Sequence, residues 1–224
     1  MSRVVRAAAA AAVLSLVGAV VGAVPGAAAR PSLRVCTANI QHTPDMPDWK
    51  VRADAKEVRS HCDVVLWQEI RERADHRALQ ARGWRVTPYG KGGVPISWRT
   101  SKLAKDSAVR IVKVSSPTPR CANGRPSYNP ARYVGQVRLK IRATGQRFTA
   151  HSLHFPQRRT CRTADTQRKW GQAFRNTKAL LPAGAVVVGG DWNRREAEIP
   201  DMTRQHWVTP GPRGLDHVYV ARTG

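Results

Sequence analysis

The chain has 224 residues and a formal net charge of +23, with 38 Lys and Arg against 15 Asp and Glu. That length suits one domain with a sizeable core, and no internal repeat or linker marks a second. So large an excess of cations goes beyond what solubility requires. It points to a polyanionic partner: nucleic acid, an anionic lipid surface or a phosphorylated small molecule. A coding bias toward Arg and Ala is the alternative source of the charge.

Arg3 and Arg6 precede an apolar, Ala-rich run over residues 7–24, and Pro25-Gly26-Ala27-Ala28-Ala29 follows. Charged, apolar and small residues in that order read as a secretory signal peptide. A membrane anchor is the competing reading, disfavoured because Ala is weakly apolar and an A-x-A site follows at once. Residues 1–29 are therefore expected to be removed, leaving residues 30–224 as a secreted, monomeric domain with no stable membrane anchor. In an exported chain the even number of cysteines, Cys36, Cys62, Cys121 and Cys161, favours disulfides. None sits in a C-x-x-C pair, so zinc is not expected. Of the three possible pairings, Cys36 with Cys62 and Cys121 with Cys161 is preferred. The first two lie on or just before the first two strands, and the others flank a strand pair.

Residues 32–40 alternate and read as a strand with Asn39 near its end. Asp45-Met46-Pro47-Asp48 offers a helix start, and Val51, Ala55 and Val58 follow at helical spacing. A strand over 63–68 ends at Glu69. Next come a short helix over 75–81, a strand over 84–88, and strands over 94–98 and 108–114 joined by a Lys-containing turn. Residues 115–129, with three Pro, read as a surface loop. Strands over 132–141 and 147–153 form a hairpin around Ala143-Thr144-Gly145, and the second runs into His154-Phe155-Pro156. An Arg-crowded stretch over 157–168 precedes a helix with Trp170, Phe174, Thr177 and Leu181 on one face. A core strand from Ala185 drives into Asp191 and Asn193, which in an extended segment share one face. An Asx turn is the alternative reading of these two residues. Gly211-Pro212-Arg213-Gly214 leads to a final strand over 215–220.

Acidic residues are few, and Glu69, Asp191 and Asp216 stand inside or at the tips of apolar strands. A carboxylate there is costly unless it is paired or binds a cation. With Asn39 and Asn193, Glu69 and Asp191 make an oxygen-rich set of the kind that holds Mg²⁺ with waters and substrate phosphate. Salt bridges to the plentiful arginines are the alternative for Glu69 and Asp216.

Five stretches carry a resemblance: Thr37-Ala38-Asn39-Ile40, Val64-Val65-Leu66-Trp67-Gln68-Glu69, Ser152-Leu153-His154, Gly190-Asp191-Trp192-Asn193 and Leu215-Asp216-His217-Val218-Tyr219-Val220. In this order they resemble the endonuclease/exonuclease/phosphatase superfamily, which includes deoxyribonuclease-like nucleases, abasic-site endonucleases, neutral sphingomyelinases and inositol-phosphate phosphatases. The resemblance implies an α/β (α+β) sandwich of two packed mixed β-sheets flanked by helices. It implies hydrolysis of a phosphoester with Mg²⁺, or with Mn²⁺ or Ca²⁺. Glu69 would be the main metal ligand, with Asn39 beside it. Asp191 would position or deprotonate the attacking water, Asn193 would hold its orientation, and His154 would meet the scissile phosphate. His151, three positions earlier, faces the other way on a strand and reads as a packing or surface residue, with the functional role as the alternative should the register slip by one. Family members usually end in two motifs, an Asp that orients a histidine and a Ser-Asp-His segment that supplies it, and this chain has room for one. Leu215 to Val220 resembles the first, making Asp216 the orienting carboxylate. The other register makes Asp216-His217 the terminal pair. Arg158, Arg159, Arg162 and Arg168 follow His154 closely enough to bind substrate phosphates. Nucleic acid is the expected substrate, and a sphingomyelinase-like enzyme, a small-molecule phosphatase or a catalytically impaired polyanion-binding relative are the alternatives.

Overall fold

A computed structural model describes residues 10–14, 32–40, 47–121, 123–157, 163–195, 199, 207–210 and 215–223. Two sheets pack face to face. The first holds β1 (Ala10–Leu14), β2 (Leu33–Asn39), β3 (Val64–Gln68), β4 (Trp84–Val86) and β5 (Ile96–Arg99), in the order β1-β2-β3-β5-β4. The second orders β13 (Trp207–Pro210), β14 (Asp216–Thr223), β12 (Gly184–Asp191), β11 (Arg147–His154), β10 (Arg132–Ile141) and β6 (Leu103–Lys105), with β7 (Arg110–Ser115) also paired to β10. Both sheets are mixed: β2 runs parallel to β3 and β11 to β12, while the other pairs are antiparallel. Helices α1 (Asp48–His61) and α2 (Arg73–Ala78) cover the outer face of the first sheet, and α3 (Thr163–Ala179) covers that of the second.

Strand alternation explains the three layers of core. Val35, Val64, Leu66 and Ile96 face Val137, Leu139, Phe148, Ala150, Val187 and Val218 across the middle of the sandwich. The opposite faces of the same strands, Cys36, Val65 and Trp67, meet Val51, Ala55 and Val58 of α1 at the spacing read from the sequence. On the second sheet, Val134, Leu153 and Val188 meet Trp170, Ala173 and Phe174 of α3. Leu181 packs there too, although it lies just past the end of α3.

Cys36 and Cys62 are joined, Cα atoms 6.0 Å apart, tying β2 to the end of α1. Cys121 is also disulfide-bonded, and Cys161, its expected partner, lies outside the described residues. So do Arg158, Arg159, Arg162, the stretch 211–214 and most of the expected signal peptide. The part of that peptide that is described, β1, pairs antiparallel with β2, Ala12 opposite Val35. Among the described residues no helix is long and apolar enough to cross a membrane.

Two expectations about the chain between β5 and β10 are corrected. The turn before residue 108 contains β6, which pairs with β10. The expected loop over 115–129 contains a two-stranded ribbon, β8 (Thr118–Arg120) and β9 (Pro126–Asn129). Its prolines suit a ribbon that pairs with neither large sheet.

Opposite the polar end of the sandwich, Asp63 is 1% exposed and fully engaged. It accepts from Arg99 Nε (3.2 Å), Lys102 Nζ (3.0 Å) and the Arg34 backbone N–H (3.0 Å). Removing its carboxylate strands those donors, so Asp63→Ala is expected to cost about 3 kcal/mol or more, measured as a shift in denaturant midpoint.

His151 sits on the α3 side of β11, where the Gln136 amide donates to its Nε2 at 3.5 Å. It is fully buried, and burial pushes its pKa down to about 4. The folded protein therefore holds it neutral where the unfolded chain would protonate it. Its contribution is complete above about pH 6.5 and is lost as pH falls toward 4, by about 3 kcal/mol at most. Unfolding measured at pH 7 and pH 4.5 is expected to give a smaller difference for His151→Phe than for the parent.

Candidate active site

The inner face of the sandwich changes from apolar to polar at one end, strand by strand. On β2, Leu33 and Val35 are followed at two-residue steps by Thr37 and Asn39. On β3, Val64 and Leu66 lead to Gln68. On β11, Phe148 and Ala150 lead to Ser152 and His154, and on β12, Val187 leads to Gly189 and Asp191. Because β2 and β3 are parallel, as are β11 and β12, these polar residues gather at one rim. The first polar layer is fully buried and links the sheets. Thr37 Oγ1 donates to Gln68 Oε1 (2.9 Å), Gln68 Nε2 donates to the Leu66 carbonyl (2.7 Å) and to Ser152 Oγ (3.4 Å), and Ser152 Oγ donates to the Trp67 carbonyl (2.8 Å).

Above that layer lie Asn39, Glu69, His154 and Asp191. The Asn39 amide donates to Glu69 Oε1 (3.3 Å) and to Asp191 Oδ2 (3.1 Å), so carboxylates from the two sheets share one donor. His154 Nε2 lies 3.8 Å from Glu69 Oε1 and 3.7 Å from Asp191 Oδ2, too far for hydrogen bonds, and has no partner. Burial, then Arg132 and Arg71, hold His154 well below the usual histidine range, so it is neutral at neutral pH. Asp191 is pushed up to about 6, first by burial and also by Glu69, against the opposing hydrogen bonds from Asn193 and Asn39 and the charge of Arg132.

The backbone is strained where it delivers these groups. Glu69 (φ 61°) and Asn193 (φ 51°) are the two non-glycine residues with positive φ among the described residues. Conformations of this kind cost on the order of 1–3 kcal/mol and cluster at functional sites. Glu69 is held in place because Ile70 N donates to the Gly93 carbonyl (3.2 Å). Gly93 admits no side chain there: a β-carbon would lie 2.9 Å from the Ile70 carbonyl oxygen.

Two expected assignments change, at His217 and Arg168, and at Asn193 the Asx turn given as the alternative is the one found. Asn193 is not extended beside Asp191, since β12 stops at Asp191 and the chain turns. Its backbone N–H donates to Asp191 Oδ1 (2.8 Å), an Asx turn, and its side chain donates to the Phe155 carbonyl (2.9 Å). Asn193 thus orients Asp191 and pins the segment after His154. Asp216 lies directly across the β12–β14 ladder from Asp191, on the inner face with Val218. His217 takes the other face and is fully buried, its Nε2 3.0 Å from the Arg194 carbonyl, so it belongs to the core rather than to the cluster. Arg168, the fourth expected phosphate ligand, is engaged with Asp165 one turn back on α3.

Two arginines that the sequence reading did not single out are at the site. Arg71 Nη2 donates to Glu69 Oε2 (3.0 Å). Arg132 stands where the β7–β10 register breaks, against Tyr133, and its Nε is buried without a partner. Burial lowers its pKa to about 10, with Asp191 and Glu69 pulling the other way. Lys169 of α3 donates to the carbonyls of Asn129 (2.8 Å) and Pro130 (3.2 Å) and so braces the segment leading to Arg132. Arg71, Arg132, His154 and Glu69 all line one cleft of about 930 Å³.

The donor set fits a hard divalent cation. Glu69 and Asp191 present carboxylate oxygens within reach of one amide, and both side chains are largely buried, which for Asp191 is the main reason its pKa is raised. Among the described residues no three His, Cys, Asp or Glu side chains group so as to hold a metal ion by themselves. An open set with one or two carboxylates is how Mg²⁺ is usually held alongside phosphate and water.

The sequence matches the profile of the Endonuclease/Exonuclease/phosphatase family over residues 36–224. Among curated proteins no sequence matches it. The fold is similar to that of an endonuclease/exonuclease/phosphatase from Bacteroides vulgatus, with TM-score 0.60 and 18% identity over 84% of this chain and 87% of that one. A humanized D. rerio TDP2 superposes with TM-score 0.61 and 14% identity, over 84% and 83% of the two chains. A Bacteroides thetaiotaomicron mannosyl-6-phosphatase does so with TM-score 0.55 and 13% identity, over 84% of each. With the profile matched along most of its length, the chain belongs to the endonuclease/exonuclease/phosphatase family, whose members are generally hydrolytic phosphoesterases and typically depend on a divalent metal.

Proposed function

We propose that the protein is a secreted, divalent-metal-dependent phosphodiesterase acting on nucleic acid. The observation that carries this reading is the meeting, at one rim, of a carboxylate pair with a neutral histidine and a guanidinium that each keep a buried nitrogen without a partner. A phosphodiester fits that arrangement: its anionic oxygens accept from His154 Nε2 and Arg132 Nε, and Asp191, fixed by Asn193, takes the proton of an in-line water. Glu69, with Asn39 beside it, would hold a divalent cation, Mg²⁺ being the natural choice, and that cation would supply charge neutralisation at phosphorus. Asp216 lies across from Asp191 on the same face, so it can orient a group at the rim. The net charge of +23 favours a polymeric polyanion, and the N-terminal sequence order favours export.

The test is incubation with plasmid DNA, as duplex and as a single-stranded circle, and Mg²⁺, with and without chelator, beside Asp191→Ala. Nicking that requires both metal and Asp191 supports the reading. No nicking, with turnover of a small phosphate monoester instead, replaces it with a phosphatase. Nicking that survives both chelator and substitution removes it.

A further inference from the structure

The cleft beside the carboxylate pair extends well past the reacting groups, and its remaining walls have a consistent chemistry. Tyr89, the turn over 90–93, Ala131 and Tyr133 line it, with Gly92 packed directly against Tyr133. Arg71, Lys91 and Arg132 also line it, and Glu69 is its one acidic lining residue among the described residues. Such a volume is that of a small-ligand pocket rather than of a flat contact surface.

Tyr89 is 38% exposed, yet it is held from three directions. Its hydroxyl donates to the Arg71 carbonyl (2.6 Å), the His76 ring meets it edge-on with centroids 5.8 Å apart, and the Arg73 guanidinium lies 5.5 Å from its centroid. His76 is itself fixed, its Nε2 2.7 Å from the Thr87 carbonyl. Because Arg71 also binds Glu69, one residue couples the ring to the phosphate end of the cleft. An aromatic ring immobilised before binding gives up little conformational freedom when a ligand stacks on it.

We infer that this cleft is a subsite for an unpaired nucleotide next to the scissile phosphate, its base stacked against Tyr89, so that the substrate is single-stranded nucleic acid. The inference rests on the phosphodiesterase reading and narrows it. A ring set inside a cleft recognises a base by its face. Within a duplex those faces are covered by neighbouring bases, whereas in a single strand they are free. Three cations on the walls track the phosphates that flank such a base.

Binding tests this independently of turnover. Fluorescence anisotropy of the purified full chain, in chelator, is measured with a labelled oligonucleotide as a single strand, annealed to its complement, and as a backbone of the same length built from abasic sites. The single strand is expected to bind about ten-fold or more tighter than the abasic backbone, and also tighter than the duplex. Tyr89→Leu is expected to remove the advantage over the abasic backbone, and Tyr89→Phe to keep it. Equal affinity for single strand and duplex, or an unchanged preference in Tyr89→Leu, overturns the inference whether or not plasmid is nicked. A Tyr89-dependent preference without any cleavage upholds the subsite and removes only the hydrolytic reading.

Discussion

Changing Asp191 to Asn is expected to slow hydrolysis by on the order of 10² to 10⁴ while raising the stability of the metal-free protein. Both effects follow from burial. The carboxyl of Asp191 is pushed up to about 6, so the folded state binds its proton more tightly than the unfolded chain does. The resulting penalty is absent below about pH 4, accumulates as pH rises toward 6 and is complete above it. At pH 7 it amounts to on the order of 3 kcal/mol, which the neutral amide does not incur. The amide keeps an oxygen for the Asn193 N–H but cannot take a proton from water. Thermal unfolding in chelator at pH 7 and pH 4 is expected to show Asp191→Asn more stable at pH 7, with the gap closing at pH 4. A variant that is slower and also less stable at pH 7 would mean that Asp191 serves the fold instead.

The second large effect is expected at Gly190, whose φ is 153° and whose neighbour across the parallel ladder is Leu153. A β-carbon there would overlap the Leu153 carbonyl oxygen and lie 2.8 Å from its carbon. Since backbone atoms are involved, relief requires β11 and β12 to separate, and that ladder is what sets His154 beside Asp191. Gly190→Ala is expected to cost more than about 4 kcal/mol and to lower the melting temperature by roughly 10 °C or more. Gly184→Ala is the control, because its φ of 100° is also unfavourable but nothing lies within 4 Å of its β-carbon. Backbone strain alone predicts on the order of 1–3 kcal/mol there. Equal losses at the two positions would show that the close approach of β11 and β12 is unimportant.

The site was legible wherever an apolar run met a polar residue in register with it. Val64 to Glu69 and Val186 to Asp191 gave both the strands and the carboxylates, because a buried strand tip tolerates a charge only for a reason. What that pattern hides is everything that depends on pairing between distant segments. Gln68 and Ser152 look like ordinary strand residues, and their role in joining the sheets exists only once β3 meets β11. Arg132 was accessible in principle. Its hairpin pairs Val134 with Leu153, so continuing that register brings Tyr133 opposite His154 and Arg132 one residue beyond. Of the two readings open at Asn193, strand alternation fails and the Asx turn holds, because the strand ends at Asp191 and a positive φ takes over. The ribbon of β8 and β9 escaped notice since short, proline-bearing strands carry no alternating pattern.

Glu69 and Asp191, from different sheets, share the Asn39 amide and are expected to serve one reaction. A double-variant cycle on single-turnover cleavage of a labelled oligonucleotide with Mg²⁺ tests this most directly. Glu69→Gln and Asp191→Asn are each expected to cut the rate by at least about 10². The double variant is expected to be no slower than the slower single one, because groups acting as a unit are not additive. Cleavage at the parent rate in either single variant, or losses that multiply in full, would contradict a shared centre.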